Sequence, residues 1–147
     1  MTLLKGVPRL IPDANILLRG VAGQGLAKEL YTAFTRSEVR FIVSAELMAE
    51  LNRILTYPRV IKLGRGITPS IAFSLGLELM YLSEFFPTVT RYEWPSLSDV
   101  NDWYLLDLLF ESVADGLITQ DKQLLKAGRL LGMPVLELKQ AKNLSLF

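Results

Sequence analysis

The sequence contains no cysteine and no histidine. Without cysteine there are no disulfides, thiolate metal sites or thiol nucleophiles. Without histidine there is no serine–histidine triad, no imidazole general base and no ordinary zinc site. Hydrolytic chemistry on this chain would therefore fall to carboxylates, hydroxyls, lysines or a bound hard cation. Charge of one sign is also missing: 16 basic residues face 15 acidic ones, a formal net charge of +1. A nucleic-acid partner is not announced by global charge and would need a local basic patch or metal ions. No apolar run is long enough for a membrane span. The opening ten residues carry Lys5, Pro8 and Arg9 and do not read as a signal peptide, so a cytoplasmic protein with no membrane partner is expected.

What is present is the composition of one folded domain. Half of the 147 residues are hydrophobic and 21% are charged, with no repeat, low-complexity segment or flexible linker. A single domain over residues 1–147 is expected.

Periodicity and breakers divide the chain into alternating units. Residues 7–11 form a short apolar run, stopped by Pro12-Asp13 because proline cannot donate a ladder hydrogen bond. A helix follows over 26–34, with Leu26, Leu30 and Phe34 on one face. Next come a strand over 40–43 and a helix over 44–55, with Ser44 as its N-cap. Thr68-Pro69 opens another helix by the cap-plus-N1 rule, extending to Phe86 with Gly76 as a weak point. Residues 88–92 read as a short strand, and Ser98-Asp99 opens a helix through Val113. A strand over 116–119, a helix over 122–131 and a strand over 134–138 complete the chain. Strands alternating with helices imply an α/β fold, a parallel sheet covered on both faces. Ligands bind such sheets outside the carboxyl ends of the strands.

The acids fall where that rule gives them meaning. Asp13 ends the first strand and Asp121 follows the strand at 116–119. Asp99 and Asp102 lie three apart in the first turn of one helix and can share a face. Glu50 borders the apolar stripe of its helix. Each aspartate taken singly is more often a cap or turn former than a ligand, and Glu50 alone reads as a solvated helix residue. Asp107 and Asp115 read as structural or surface groups. Joint placement is what points to a site, because clustered carboxylates repel one another and a hard divalent cation resolves the conflict. Arg53, Arg59, Lys62 and Arg65 form a basic group suited to RNA phosphates, with Lys122 and Lys126 as candidates on the other rim. Tyr92, Trp94 and Trp103 read as core or interface aromatics rather than base-stacking platforms.

The segments Pro12-Asp13-Ala14-Asn15, Ser44 to Leu55 with Glu50 inside, Ser98 to Asp102, and Ala114 to Leu125 resemble the signatures of PIN domains. Their order and spacing are similar to the VapC-like toxin branch of prokaryotic type II toxin–antitoxin systems, and the resemblance runs from Arg9 to about Leu138. It implies a three-layer α/β/α fold with a mostly parallel sheet of four to five strands. It implies Asp13, Glu50, Asp102 and Asp121 as a catalytic and metal-binding quartet, with Asn15, Ser44, Asp99 and Thr119 in support. It further implies Mg²⁺- or Mn²⁺-dependent endoribonuclease activity, a homodimer and a small antitoxin partner. Two positions depart from the pattern: Pro12 replaces a β-branched residue or leucine, and Leu109 replaces an alanine. Two other readings stand beside this one. A phospho-acceptor receiver domain would want an acidic pair after the first strand, where Ala14 and Asn15 stand. A catalytically silent scaffold of the same fold would bind a protein partner or RNA.

Overall fold

The computed structural model describes residues 6–55 and 67–147. Arg59, Lys62 and Arg65 lie outside the described residues. Five strands form one parallel sheet: β1 (Arg9–Pro12), β2 (Arg40–Val43), β3 (Glu84–Phe85), β4 (Gly116–Ile118) and β5 (Val135–Leu136), in the order β3-β2-β1-β4-β5. The helices among the described residues are α1 (Ala14–Val21), α2 (Gly25–Thr35), α3 (Ala45–Leu55), α4 (Pro69–Leu82), α5 (Trp103–Ser112), α6 (Lys122–Leu131) and α7 (Leu138–Asn143). The architecture is α/β, with helices layered on a sheet whose strands are apolar on both faces. Leu10, Ile11, Phe41, Ile42, Val43, Leu117 and Ile118 are all buried, as expected when neither face meets water. No helix among the described residues is long and apolar enough to cross a membrane.

From β1 the chain winds outward to β2 and β3, then returns to place β4 on the other side of β1. Pairing of Leu10 with Gly116, Ile11 with Leu117 and Pro12 with Ile118 sets the register. Gly116 fits there because an added Cβ would come within 3.1 Å of Leu136. The break in winding between β1 and β4 opens a crevice at their carboxyl ends. Pro12 is accommodated at the last residue of β1. The next donor, Asp13 N–H, bonds Ile118 O at 2.9 Å. Successive backbone donors alternate sides, so the missing N–H of Pro12 faces β2, beyond the β1–β2 pairs Arg9–Arg40 and Leu10–Phe41. Leu109 is buried in the core like its neighbours on α5.

Several boundaries differ from those expected. Residues 15–18 belong to a helix, α1, that begins directly after Asp13. The helix opened by Thr68-Pro69 does start there, Thr68 Oγ1 accepting from Ile71 N–H. It ends at Leu82 rather than Phe86, and Gly76 does not interrupt it. Ser83 turns extended, and Glu84–Phe85 becomes β3 beside Ile42 and Val43. The strand expected at 88–92 is therefore displaced toward the N-terminus. An ion pair holds it, Arg9 Nη2 to Glu84 Oε2 at 2.6 Å. Residues 88–92 are instead pinned by side chains, with buried Asp107 accepting from Tyr92 N–H and Trp94 Nε1. Trp103 Nε1 donates to Leu97 O. Past Leu136 the expected strand turns into α7, started by Glu137 N–H donating to Gln140 Oε1.

Candidate active site

Asp13 stands at the mouth of the crevice as the residue that ends β1 and caps α1. Its main-chain carbonyl accepts from Ile16 and Leu17. Its side chain is left for other work: Oδ2 accepts from Thr119 Oγ1 at 2.8 Å. Thr119 directly follows β4 and is fully buried. The same Thr119 oxygen accepts Asp121 N–H at 3.0 Å. One hydroxyl thus ties together the loops after the two strands that flank the switch point. Asp121 caps α6, with Oδ1 accepting from Gln123 N–H at 2.8 Å and Leu124 N–H at 3.4 Å.

Asp99 and Asp102 share one turn as expected, Asp102 N–H donating to Asp99 O at 3.1 Å, but the turn is 3-10 and precedes the α-helix. Asp99 caps a single 3-10 turn, Val100–Asp102, by accepting Asn101 N–H. Asp102 is the residue from which α5 departs. Both acids, with Asn101, Glu46, Ala49, Glu50, Arg53 and Tyr104, line a cavity of about 610 Å³. Glu50 projects from α3 and is gripped by Arg53 one turn later, at 2.7 Å from Nη2 to each carboxylate oxygen.

The electrostatics couple these groups. Burial pushes the Asp13 carboxyl up, and the charges of Asp121 and Glu50 push the same way, while the Thr119 and Ala14 hydrogen bonds oppose them. Burial is also the largest influence on Asp102, followed by Asp99, Asp13, Asp121 and Glu50. Together they raise it to about 6. Asp13 and Asp102 thus each feel the charges of Glu50 and Asp121. They are not, however, a ready-made cage: among the described residues no group of three or more acids is arranged to hold a metal ion. Glu50 is drawn to Arg53 and Asp121 to the α6 terminus, which explains the open arrangement.

The supporting residues divide. Thr119 does hold a carboxylate. Ser44 is buried and caps α3 through Leu47 N–H, so its bond goes to the helix and not to an acid. Asn15 is exposed on the first turn of α1. Two further residues join the site without being expected there. Tyr104 lines the acid cavity, and burial plus the charges of Asp13, Glu50, Asp102 and Glu46 raise its phenol so that it stays protonated. Glu46 sits four residues before Glu50 on α3, a same-face spacing that is readable from sequence. Asp115, away from this cluster, accepts Arg9 N–H at 2.7 Å. No protein-family model matches the chain, and no curated protein matches it.

Proposed function

We propose that this chain is a divalent-cation-dependent endoribonuclease of the PIN type. The observation that carries the reading is Asp13, raised by burial and held by Thr119 at the switch point of a parallel sheet, within electrostatic reach of Glu50, Asp102 and Asp121. The donor set fits Mg²⁺ or Mn²⁺ because it is made of hard oxygens whose mutual repulsion a cation relieves. Asp13 and Asp102 would be the shared ligands, with Glu50 and Asp121 holding a second ion or its waters. Such a cation would neutralise charge on the phosphate oxygens and ease loss of a proton from the attacking water, leaving a better nucleophile.

The protein's own groups do the rest. Thr119 fixes the rotamer of Asp13. Tyr104, kept protonated, offers an O–H to an incoming phosphate. Arg53 holds Glu50, and a phosphate arriving in the cavity competes for the guanidinium, whose planar fork suits either partner. Substrate binding and release of Glu50 for the cation are thereby linked. Arg53, the one of the four basic residues expected to meet RNA that is among the described residues, lines this cavity.

The proposal extends to a homodimer and a small antitoxin, on the strength of the sequence resemblance. Exposed Phe73, Met80 and Tyr81 on α4 offer the apolar surface that a second copy would cover. The alternative is a scaffold without catalysis, favoured by the pairing of Glu50 with Arg53 and by the open placement of the acids.

Two measurements decide. Wild type should cleave RNA with Mg²⁺ or Mn²⁺ and lose cleavage in EDTA, whereas Asp13→Asn should fold and not cleave. Saturating metal, at one hundred times its dissociation constant, should stabilise wild type by about 2.7 kcal/mol and leave Asp13→Asn unmoved. A wild type that neither cleaves nor shifts belongs to the scaffold reading.

A further inference from the structure

A second cavity lies against the β4–α6 turn, which contributes Gln120 and Lys122 to it. It measures about 460 Å³ and is lined by Arg19, Gln24, Gly25, Leu26, Ala27, Gln120, Lys122, Glu137, Leu138 and Lys139. Three of these are cations and one is an acid. Arg19, Lys122 and Lys139 are all exposed, and none takes part in an ion pair among the described residues. The floor is different in kind: Ala27 and Leu138 are buried and Leu26 is half-buried beside them.

Another cavity on the molecule makes the contrast. Lys28, Arg36 and Lys142 line it, but so do Glu29 and Glu38, and Lys142 already pairs with Glu29 at 3.3 Å. Equal numbers of cations therefore leave a smaller positive excess there. The Arg19–Lys122–Lys139 cavity keeps its charge for a partner.

Its position connects it to the acid cluster. Lys122 is the residue after Asp121, and Gln120 the residue before it. Arg19 lies six residues along α1 from Asp13, about 9 Å at the helical rise. We propose that this cavity is a nucleotide subsite for the single-stranded RNA whose cleavage is proposed above, and the inference rests on that reading. A phosphate of the strand meets Arg19, Lys122 and Lys139 at the rim, and the attached sugar and base lie over Leu26, Ala27 and Leu138. Three cations at an apolar floor suit a nucleotide unit better than a free inorganic anion, which has no use for the floor. The strand then passes from this subsite across the β4–α6 turn to the carboxylates.

The test is binding of a fluorescent oligoribonucleotide, followed by anisotropy in EDTA, where the proposed chemistry cannot run. Three proteins are compared: wild type, Arg19→Gln/Lys122→Gln/Lys139→Gln, and a charge-matched control, Lys28→Gln/Arg36→Gln/Lys142→Gln. The first variant should lose about tenfold or more in affinity. Its slope of log affinity against log salt should flatten by about 0.7, the share of the one phosphate that the protein no longer neutralises. The control should stay within about twofold of wild type. Equal losses in both variants, or no loss in either, would overturn the subsite. So would competition by inorganic phosphate as effective as that by unlabelled oligoribonucleotide, which would make it a free-anion site. The nuclease reading fails separately, in a wild type that binds RNA but does not cleave it with Mn²⁺.

Discussion

At the scale of single residues, two side chains make opposite contributions to the candidate site. Asp102 is a cost to the metal-free fold. Its carboxyl is raised from 3.8 to about 6, burial first and neighbouring charge second. A carboxyl that binds its proton more tightly when folded stabilises the protein below its unfolded pKa, and that stability is lost as pH rises through the folded value. The metal-free protein should therefore lose stability between about pH 4 and pH 6. Asp102→Asn should lessen this slope, to which the raised Asp13 also contributes, and raise stability at pH 7 by on the order of 1 kcal/mol, once solvent screening is allowed for. Urea unfolding in EDTA across that range would show it, and an unchanged slope in the variant would reject the assignment. Thr119 is a gain. Replacing it with valine keeps the shape and removes the hydroxyl from Asp13 Oδ2 and Asp121 N–H. Leaving those groups unsatisfied should cost about 1–3 kcal/mol, seen as a lower urea midpoint at constant m-value, with Thr119→Ser recovering most of it. Asp13 and Asp121 are legible as candidates because strand ends in a parallel sheet carry chemistry. The bond from Thr119 to Asp13 spans 106 residues. Nothing in local spacing carries such a bond, since it depends on the β1–β4 register. Tyr104 gives no signal for a related reason: its ties to Asp13, Glu46 and Glu50 run between elements, not along the chain.

Among the elements, those with explicit end signals are legible and those without them are not. Helices α3 and α6 start at a capping serine and aspartate, and α6 stops at Gly132 in the left-handed conformation, with φ 66°. Helix α4 starts just as clearly at Thr68. Its end is hidden because Leu82, Phe85 and Phe86 continue an apolar pattern with no glycine or proline until Pro87. Helix and short buried strand look alike in such a stretch. What decides is the open edge of β2, which accepts Glu84–Phe85. Close packing between elements is also testable. Helix α6 meets β5 at Gly128, where an added Cβ would fall 2.5 Å from Val135 Cβ and Cγ2. Gly128→Ala should destabilise the fold by about 1–3 kcal/mol through overpacking. A thermal midpoint no lower than wild type would show that the helix can shift away.

For the molecule as a whole, the unresolved demand is the outer surface of α4. Phe73, Met80 and Tyr81 are 69%, 73% and 80% exposed, and α4 has only Leu75 and Leu79 fully buried. Monomeric proteins seldom leave a contiguous apolar patch of any size in water. Light scattering should give the mass of a dimer for wild type and of a monomer for Phe73→Glu/Met80→Glu. A wild type that is monomeric at high concentration would rule out this surface as the interface. The parallel sheet and its covering helices are legible from sequence. The pairing of Glu50 with Arg53 is not, because a glutamate and an arginine three apart on a helix can face each other or two separate partners.

The tie between the first and fourth strands has a consequence for synthesis. Asp13, Glu50 and Asp102 leave the ribosome well before Gly116 to Asp121, yet Asp13 has neither its hydroxyl partner nor the second wall of its crevice until β4 pairs with β1. Domains form as units, and non-local pairings form late. A nascent chain of this protein therefore carries three of the four acids without the site. If the mature molecule cuts RNA, the message and ribosome that produce it are exposed to that activity only after the last strands have emerged.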